Sequence, residues 1–129
     1  MRKLTIPEFH AELKAQGVAT HEDFAFVCPM CAKVQSGRDL IAAGAGKTFD
    51  DVESYLGFSC VGRWTDAGPP PKAGKTQDGC NWTLGGLFSL HKLEIIDAKG
   101  ETHPTFEPAS PDAARAHAAR FVAEVAHVP

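Results

Sequence analysis

Apolar residues recur at helical spacing in four stretches of the chain, and each stretch starts at a residue that favours a helix N-terminus. In the first, Thr5 and Glu8 form a capping box beside Ile6, Phe9 and Leu13. The four predicted helices open at Thr5, Ser36, Thr48 and Ser110. The first three are followed by glycines that are typical of helix ends, namely Gly17, Gly44 and Gly57.

Short apolar runs bounded by turn residues predict β-strands at residues 24–27, 58–61 and 102–106. Residues 81–97 form the strongest β region, in which the apolar alternation changes phase between Leu90 and Leu93. A phase change of this kind predicts a bulge near His91 or a strand buried on both faces. We therefore expect an α+β fold in which a small antiparallel sheet of four or five strands is flanked by terminal helices.

Length and charge narrow the class of protein. The chain has 129 residues, which predicts one domain over residues 1–129, and its formal net charge is −3. Nucleic-acid-binding proteins usually carry a basic surface, so we expect weak nucleic-acid binding or none. Residues 58–92 are the exception, since four basic residues outnumber two acidic ones there.

No apolar run approaches the length of about 18 residues that a membrane-spanning helix needs. The N-terminal residues also lack the apolar core of a signal peptide. We therefore expect the protein to reside in the cytoplasm, where thiols stay reduced. Four cysteines in that compartment indicate metal binding or catalysis rather than disulfides.

The four cysteines predict one structural zinc ion. Cys28 and Cys31 form a C-x-x-C pair directly after a predicted strand, and the two remaining cysteines also lie beside strands. Zinc takes four such ligands in a tetrahedron, and four sulfurs fill it without a position for water. The predicted ligands are Cys28, Cys31, Cys60 and Cys80. An alternative set replaces one cysteine with His91 or His103.

Two other interpretations of the cysteines stay open. Cys28-Pro29-Met30-Cys31 resembles the redox turn of glutaredoxins, in which Cys28 would be a nucleophile of low pKa. The glutaredoxin fold, however, needs several βαβ units. The redox interpretation also gives Cys60 and Cys80 no role. The cysteines could also be simple buried thiols.

No motif in the sequence predicts an enzyme. The segment Gly44-Ala45-Gly46-Lys47-Thr48 resembles part of a phosphate-binding loop, but Ile41 stands where the motif requires glycine. A helix end followed by a new N-cap explains this segment better. No serine lies in a nucleophile elbow, and no pair of carboxylates stands out as an acid–base couple.

The segment 62–79 is long for a connection in a small domain, and such loops are usually functional or disordered. Its proline- and glycine-rich part, residues 66–79, predicts a flexible surface loop. Arginine and tryptophan dominate binding hot spots. The predicted partner-binding residues are Arg63, Trp64, Lys72 and Lys75. The rival interpretation is an insertion without function.

Several segments together resemble a family of small proteins from bacteriophages and prophages. They are residues 26–31, 57–63, 80–88 and 103–108, and Cys-Asn-Trp-Thr-Leu-Gly-Gly-Leu-Phe at 80–88 is the most specific. The resemblance spans about residues 4–110. It implies a phage accessory protein that is expressed in a bacterial cytoplasm. Such proteins often bind and block a host machine, including CRISPR and other defence effectors.

Three hypotheses for function follow. The first is a non-enzymatic, zinc-stabilised binding module that inhibits a host defence protein, as anti-CRISPR proteins do, or a host regulatory protein. The second is a nucleic-acid-binding zinc protein that uses Arg63, Lys72, Lys75 and Lys92. The third is a thiol redox enzyme at Cys28 and Cys31.

Overall fold

The structure, a computed structural model, describes residues 2–72, 75–84 and 91–126. Strands and helices are mixed along these residues, as expected for an α+β fold. The strands are β1 (Arg2–Thr5), β2 (Ala25–Val27), β3 (Val34–Ser36), β4 (Leu93–Ile96), β5 (Thr102–Thr105) and β6 (Glu107–Pro108). The helices are α1 (Ile6–Lys14), α2 (Gly37–Ala42), α3 (Phe49–Val52) and α4 (Pro111–Ala126), with 3-10 turns at His21–Asp23 and Val61–Arg63.

The α+β class is confirmed, but the strands form two small sheets rather than one. One sheet has the order β1-β4-β5, in which β1 is parallel to β4 and β5 is antiparallel to it. The other has the order β3-β2-β6 and is antiparallel throughout. The parallel pair joins Arg2 to Leu93, and contacts so distant in sequence leave no local pattern.

The helices begin where their capping residues predict. Thr5 Oγ1 accepts a hydrogen bond from the Glu8 backbone N–H, and the Glu8 carboxylate accepts one from the Thr5 N–H at 2.9 Å. Thr48 caps α3 in the same reciprocal way with Asp51. Gly17 adopts a φ of +70° beyond the end of α1. Each helix therefore begins at a locally encoded signal.

One predicted strand is not a strand in the structure, and another is a strand in only part of its predicted range. Residues 58–61 make one isolated bridge, between Ser59 and Thr83, and then enter the 3-10 turn. Of residues 81–97, the described strand is Leu93–Ile96, while residues 85–90, with the predicted phase change, lie outside the described residues. Val61 and Leu84, which follow Cys60 and Cys80, are buried in the same cluster as the sulfurs. A period-2 pattern does not distinguish such burial from a strand.

One apolar cluster forms the main core and includes all four cysteines, together with Phe26, Leu40, Val52 and Phe106. Gln16, fully buried, links the end of α1 to two other segments. Its side-chain amide donates to the carbonyls of Ala25 and Ala109, and its carbonyl accepts from the Ala25 N–H at 3.0 Å. The cysteines therefore lie within the packed interior and not on a separate surface lobe.

Candidate metal centre

Cys28 and Cys31 lie in the loop that joins β2 to β3. The Cys28 N–H donates to the Lys33 carbonyl at 3.1 Å, and the Ala32 N–H donates to the Cys28 carbonyl at 2.9 Å. Ala32 has a φ of +64°, a left-handed conformation that disfavours a Cβ by about 1–2 kcal/mol. Glycine is the residue that adopts this conformation most readily. The chain adopts the tight turn with alanine instead, and both sulfurs point into the core.

Cys60 and Cys80 come from two segments that lie directly against each other. The Cys60 N–H donates to the Trp82 carbonyl at 3.0 Å. Gly62 packs on the backbone of Cys80 so closely that a Cβ on Gly62 would lie 2.5 Å from the Cys80 carbonyl oxygen. Glycine at position 62 is what permits this approach.

The four sulfurs form one buried group. Cys28 Sγ lies 3.7 Å from Cys80 Sγ, and Cys31 Sγ lies 3.8 Å from Cys60 Sγ. All four sulfurs lie within 4.8 Å of one another, and each cysteine is at most 1% exposed. Sulfurs about 2.3 Å from a central ion stand about 3.8 Å apart in a tetrahedron, whereas a disulfide needs about 2.0 Å. The spacing therefore suits a single metal ion. The predicted clustering of the four cysteines is confirmed.

Two N–H groups point at the sulfur of Cys60. They are the side-chain amide of Gln35 and the backbone N–H of Cys80, each 3.4 Å from Cys60 Sγ. The Gln35 carbonyl oxygen accepts the Val61 N–H at 2.7 Å, which fixes the orientation of the amide. Such N–H donors stabilise a metal-bound thiolate and hold it in place.

The environment of the sulfurs favours one thiolate when no cation is bound. Hydrogen bonds from the Cys28 and Cys31 thiols hold the pKa of Cys60 well below its usual range, with a further contribution from Gln35. The corresponding hydrogen bonds with Cys31 and Cys60 raise the pKa of Cys28, and burial raises that of Cys80 to about 12. A divalent cation is the species that would allow all four sulfurs to be deprotonated in this interior.

The two histidines considered as alternative ligands have other partners. His91 Nε2 lies 3.0 Å from a Glu94 carboxylate oxygen, and His103 Nε2 lies 2.9 Å from one of Asp97. Neither histidine belongs to the four-sulfur group. The group of four cysteines thus needs no histidine to complete it.

Arg63 and Trp64 directly follow the Cys60 segment. The Arg63 N–H donates to the Cys60 carbonyl at 3.1 Å, and the Arg63 guanidinium carbon lies 5.9 Å from the centre of the Trp64 ring. The ring of Tyr55 also packs against Trp64, with the two ring centroids 4.9 Å apart. We call the group Tyr55, Arg63 and Trp64 the aromatic surface.

Lys72 and Lys75 are exposed, and within the described part of the chain no hydrogen bond or cation–π contact joins them to that surface. They are close to each other, because the Lys75 N–H donates to the Lys72 carbonyl at 3.0 Å. Residues 73 and 74 between them lie outside the described part of the chain.

Two residues near the end of the 62–79 loop are tied to the cysteine segments. The Gln77 backbone N–H donates a hydrogen bond to the Cys31 carbonyl. Its side-chain amide donates to the carbonyls of Pro69 and Gly79. Asp78 forms an ion pair with Lys33, at 2.5 Å. These bonds cross-link segments that the composition alone led us to expect as a flexible loop.

Three residues of this region were missed by the sequence patterns. Gln35 gave no signal, because a polar residue in a short strand is normally exposed. Gly62 could have been noticed as a glycine two residues after a cysteine, a position where metal-binding turns bring backbones close. Tyr55 lies before Gly57, where the predicted third helix ends, but α3 ends at Val52 and Tyr55 is 38% exposed.

Comparisons with known proteins place the chain in a family. Among its described residues, no helix is long and apolar enough to cross a membrane. No curated protein and no solved structure matches the chain. A protein-family model described as VVA0879-like matches residues 5–109, a range that includes all four cysteines and the aromatic surface. The chain belongs to the VVA0879-like family.

Proposed function

We propose that this protein is a non-enzymatic binding module whose partner-binding surface is held in place by one structural zinc ion. The observation that carries the proposal is the junction at Cys60. The side chain of Cys60 supplies a sulfur to the four-cysteine group. Its backbone carbonyl accepts a hydrogen bond from the N–H of Arg63. Metal binding would thereby fix the residues that form the aromatic surface.

Zinc is the metal that best suits the arrangement. Four thiolates in a tetrahedron favour zinc or iron among the biological metals. A zinc site closed by four cysteines is typically structural, because no coordination position remains for water or substrate. Here the ligands come from three separate segments of the chain, so an ion would cross-link them and contribute directly to folding.

The aromatic surface has the composition of a binding hot spot. Tyrosine, tryptophan and arginine are the residues most enriched in such spots, and here Trp64 packs against both Tyr55 and Arg63. Tyr55 is 38% exposed, and Phe58 in the same turn is 40% exposed. With Arg63 exposed on this surface and Lys72 and Lys75 on the following loop, the surface suits a protein partner with an acidic patch.

The resemblance to phage and prophage proteins supports a biological setting for this module. We propose a phage accessory protein that acts in the cytoplasm of a bacterial host. Its partner would be a host defence protein, as for anti-CRISPR proteins, or a host regulatory protein. The closed cysteine site supports a binding role over thiol redox catalysis, since Cys28 is 1% exposed and a disulfide substrate needs access to the attacking sulfur.

The test is affinity capture from nuclease-treated lysate of a bacterial host, with the wild type and the variants Arg63→Ala and Trp64→Ala as bait. A third variant replaces residues 68–78 with a short Gly-Ser link. Lys99→Ala is the matched control, because Lys99 is exposed in the distant turn between β4 and β5. Each bait is first checked for its zinc content and its free energy of unfolding.

The proposal expects a defined protein partner that the wild type and Lys99→Ala retain and that Arg63→Ala and Trp64→Ala lose. Equal retention of the partner by all variants would show that the binding surface lies elsewhere. Binding that appears only in a parallel capture from lysate without nuclease would favour the nucleic-acid hypothesis instead.

A further inference from the structure

A cavity of about 440 Å³ opens between α1, the turn at His21–Asp23, β2 and α3. None of its lining residues is a cysteine or a member of the aromatic surface. Its volume lies within the range of about 300–1,000 Å³ that is usual for small-molecule sites. The metal centre and the proposed partner surface therefore leave this cavity without a role.

The interior of the cavity is apolar and rich in aromatic rings. Its apolar lining consists of Phe9, Leu13, Phe24, Phe26, Phe49 and Leu56. Leu13 and Phe26 are buried, but Phe9, Phe24 and Phe49 are only half-buried, so the cavity exposes their rings to solvent. The rings of Phe9 and Phe26 are tilted at 40° to each other with centroids 6.1 Å apart. Such an arrangement presents both ring edges and ring faces to an occupant.

The polar groups at the cavity are mostly basic. His10 and Lys14 stand four residues apart on α1 and thus share one face of the helix. His21 stacks on Phe24, with ring centroids 5.5 Å apart. One carboxylate, Glu53, also lines the cavity. Among the described residues, neither Lys14 nor Glu53 takes part in an ion pair, so the Lys14 ammonium is available to a ligand.

We propose that this cavity binds a small aromatic carboxylate. The aromatic ring of the ligand would fill the space between the phenylalanines, where edge-to-face contacts with their rings are favourable. Its carboxylate would lie at the mouth, beside Lys14 and the two histidines. A few polar groups over an apolar interior are typical of sites that orient a small ligand. This site is independent of the proposed partner binding.

The experiment is a ¹H–¹⁵N NMR titration of the zinc-loaded full chain with three probes. 3-Phenylpropionate carries the ring and the carboxylate, 3-phenylpropanamide replaces the charge with a neutral amide, and N-acetylphenylalaninamide mimics the aromatic side chain of a partner protein. The proposal expects saturable shifts at residues that line the cavity with the carboxylate. Affinity for the neutral amide should be several-fold lower.

Charge variants at the mouth test the same proposal without disturbing the core. Lys14 and Glu53 are both exposed, so Lys14→Gln and Glu53→Gln should fold normally. The first should weaken 3-phenylpropionate binding several-fold, and the second should strengthen it, because it removes a like charge. Lys99→Gln, outside the cavity, should leave the affinity unchanged.

Three results would overturn the proposal. They are the absence of saturable shifts at millimolar 3-phenylpropionate, shifts that map outside the cavity, and equal affinity for the carboxylate and its amide. Binding of N-acetylphenylalaninamide as tight as that of the carboxylate would identify the cavity as a seat for a partner's aromatic side chain instead.

Discussion

Gly62 and Cys80 are in direct backbone contact, and this contact brings two of the three cysteine-bearing segments together. A Cβ at position 62 would lie 2.5 Å from the Cys80 carbonyl oxygen and 2.8 Å from the carbonyl carbon of Gly79. The neighbours are backbone atoms, so they cannot move aside as a flexible side chain would. The geometry of the sulfur group thus depends on a residue that carries no ligand.

We predict that Gly62→Ala displaces the Cys80 segment and weakens metal binding. The expected loss of folding free energy is about 1–3 kcal/mol or more, as for overpacked interiors. Gly100→Ala is the control, because Gly100 has a φ of +82° but open space around an added Cβ, so it should cost about 1–2 kcal/mol and leave zinc affinity unchanged. Denaturant unfolding and zinc competition with a chelator measure both effects. Wild-type zinc affinity in Gly62→Ala would contradict this role.

We predict that Gln35 raises the zinc affinity of the site, whereas Gln16, an equally buried glutamine, does not. Gln35→Leu removes an N–H donor from Cys60 Sγ and leaves the Val61 N–H without its acceptor. We expect a loss of about 1–3 kcal/mol in folding and about 10–100-fold in zinc affinity. Gln16→Leu should destabilise the fold through Ala25 and Ala109 but leave zinc affinity of the folded protein unchanged. Equal zinc affinities for the two variants would rule out the specific role.

Local signals in the sequence predicted much of this architecture. The capping residues Thr5 and Thr48 hydrogen-bond within three residues of themselves, so their helices can be identified from a short window. The clustering of Cys60 and Cys80 with the C-x-x-C pair followed from the number of ligands that one ion requires. Neither inference needed knowledge of the tertiary structure.

The features that could not be predicted from the sequence depend on contacts between distant segments. The parallel pairing of β1 with β4 joins residues about ninety positions apart. The side-chain amide of Gln35 reaches Cys60 Sγ only because the β2–β3 hairpin packs against the 3-10 turn that follows Cys60. The ordered hydrogen bonds of Gln77 likewise appear only when Cys31 and Gly79 are brought together.

The pH dependence of stability should reveal the ion pair between Asp23 and Arg38. Burial raises the pKa of Asp23, but hydrogen bonds from Arg38 and Thr20 outweigh it and hold the pKa below its ordinary value. Since the folded pKa is depressed, the pair stabilises the fold above the unfolded pKa of about 3.9. This contribution is lost as pH falls from there through the folded pKa.

Asp23→Asn should therefore cost about 1–2 kcal/mol at neutral pH, and the difference from the wild type should shrink below about pH 4. Release of a bound metal at low pH would affect both proteins alike and would cancel in the difference. Asp112→Asn is the control, since the Asp112 side chain is 98% exposed and its pair with Arg115 contributes little. Denaturant unfolding at a series of pH values provides the measurement. A difference that stays constant down to pH 2 would contradict the assignment.

Binding to DNA should be weak and independent of sequence. The net charge is −3, and the basic residues between 58 and 92 exceed the acidic ones by only two. A fluorescence-anisotropy titration at about 0.15 M salt should give a Kd no tighter than micromolar. Nanomolar, sequence-dependent binding that is lost on replacing Arg63 and Lys92 would instead favour the nucleic-acid hypothesis.

The zinc content of the purified protein tests the central claim most directly. Elemental analysis of the wild type, purified without added metal, should give close to one zinc per chain. In Cys60→Ser, which removes one of the four sulfurs, zinc should fall well below one per chain and the free energy of unfolding should drop by several kcal/mol. A wild-type protein that is fully folded without metal, or that contains iron in place of zinc, would contradict the account.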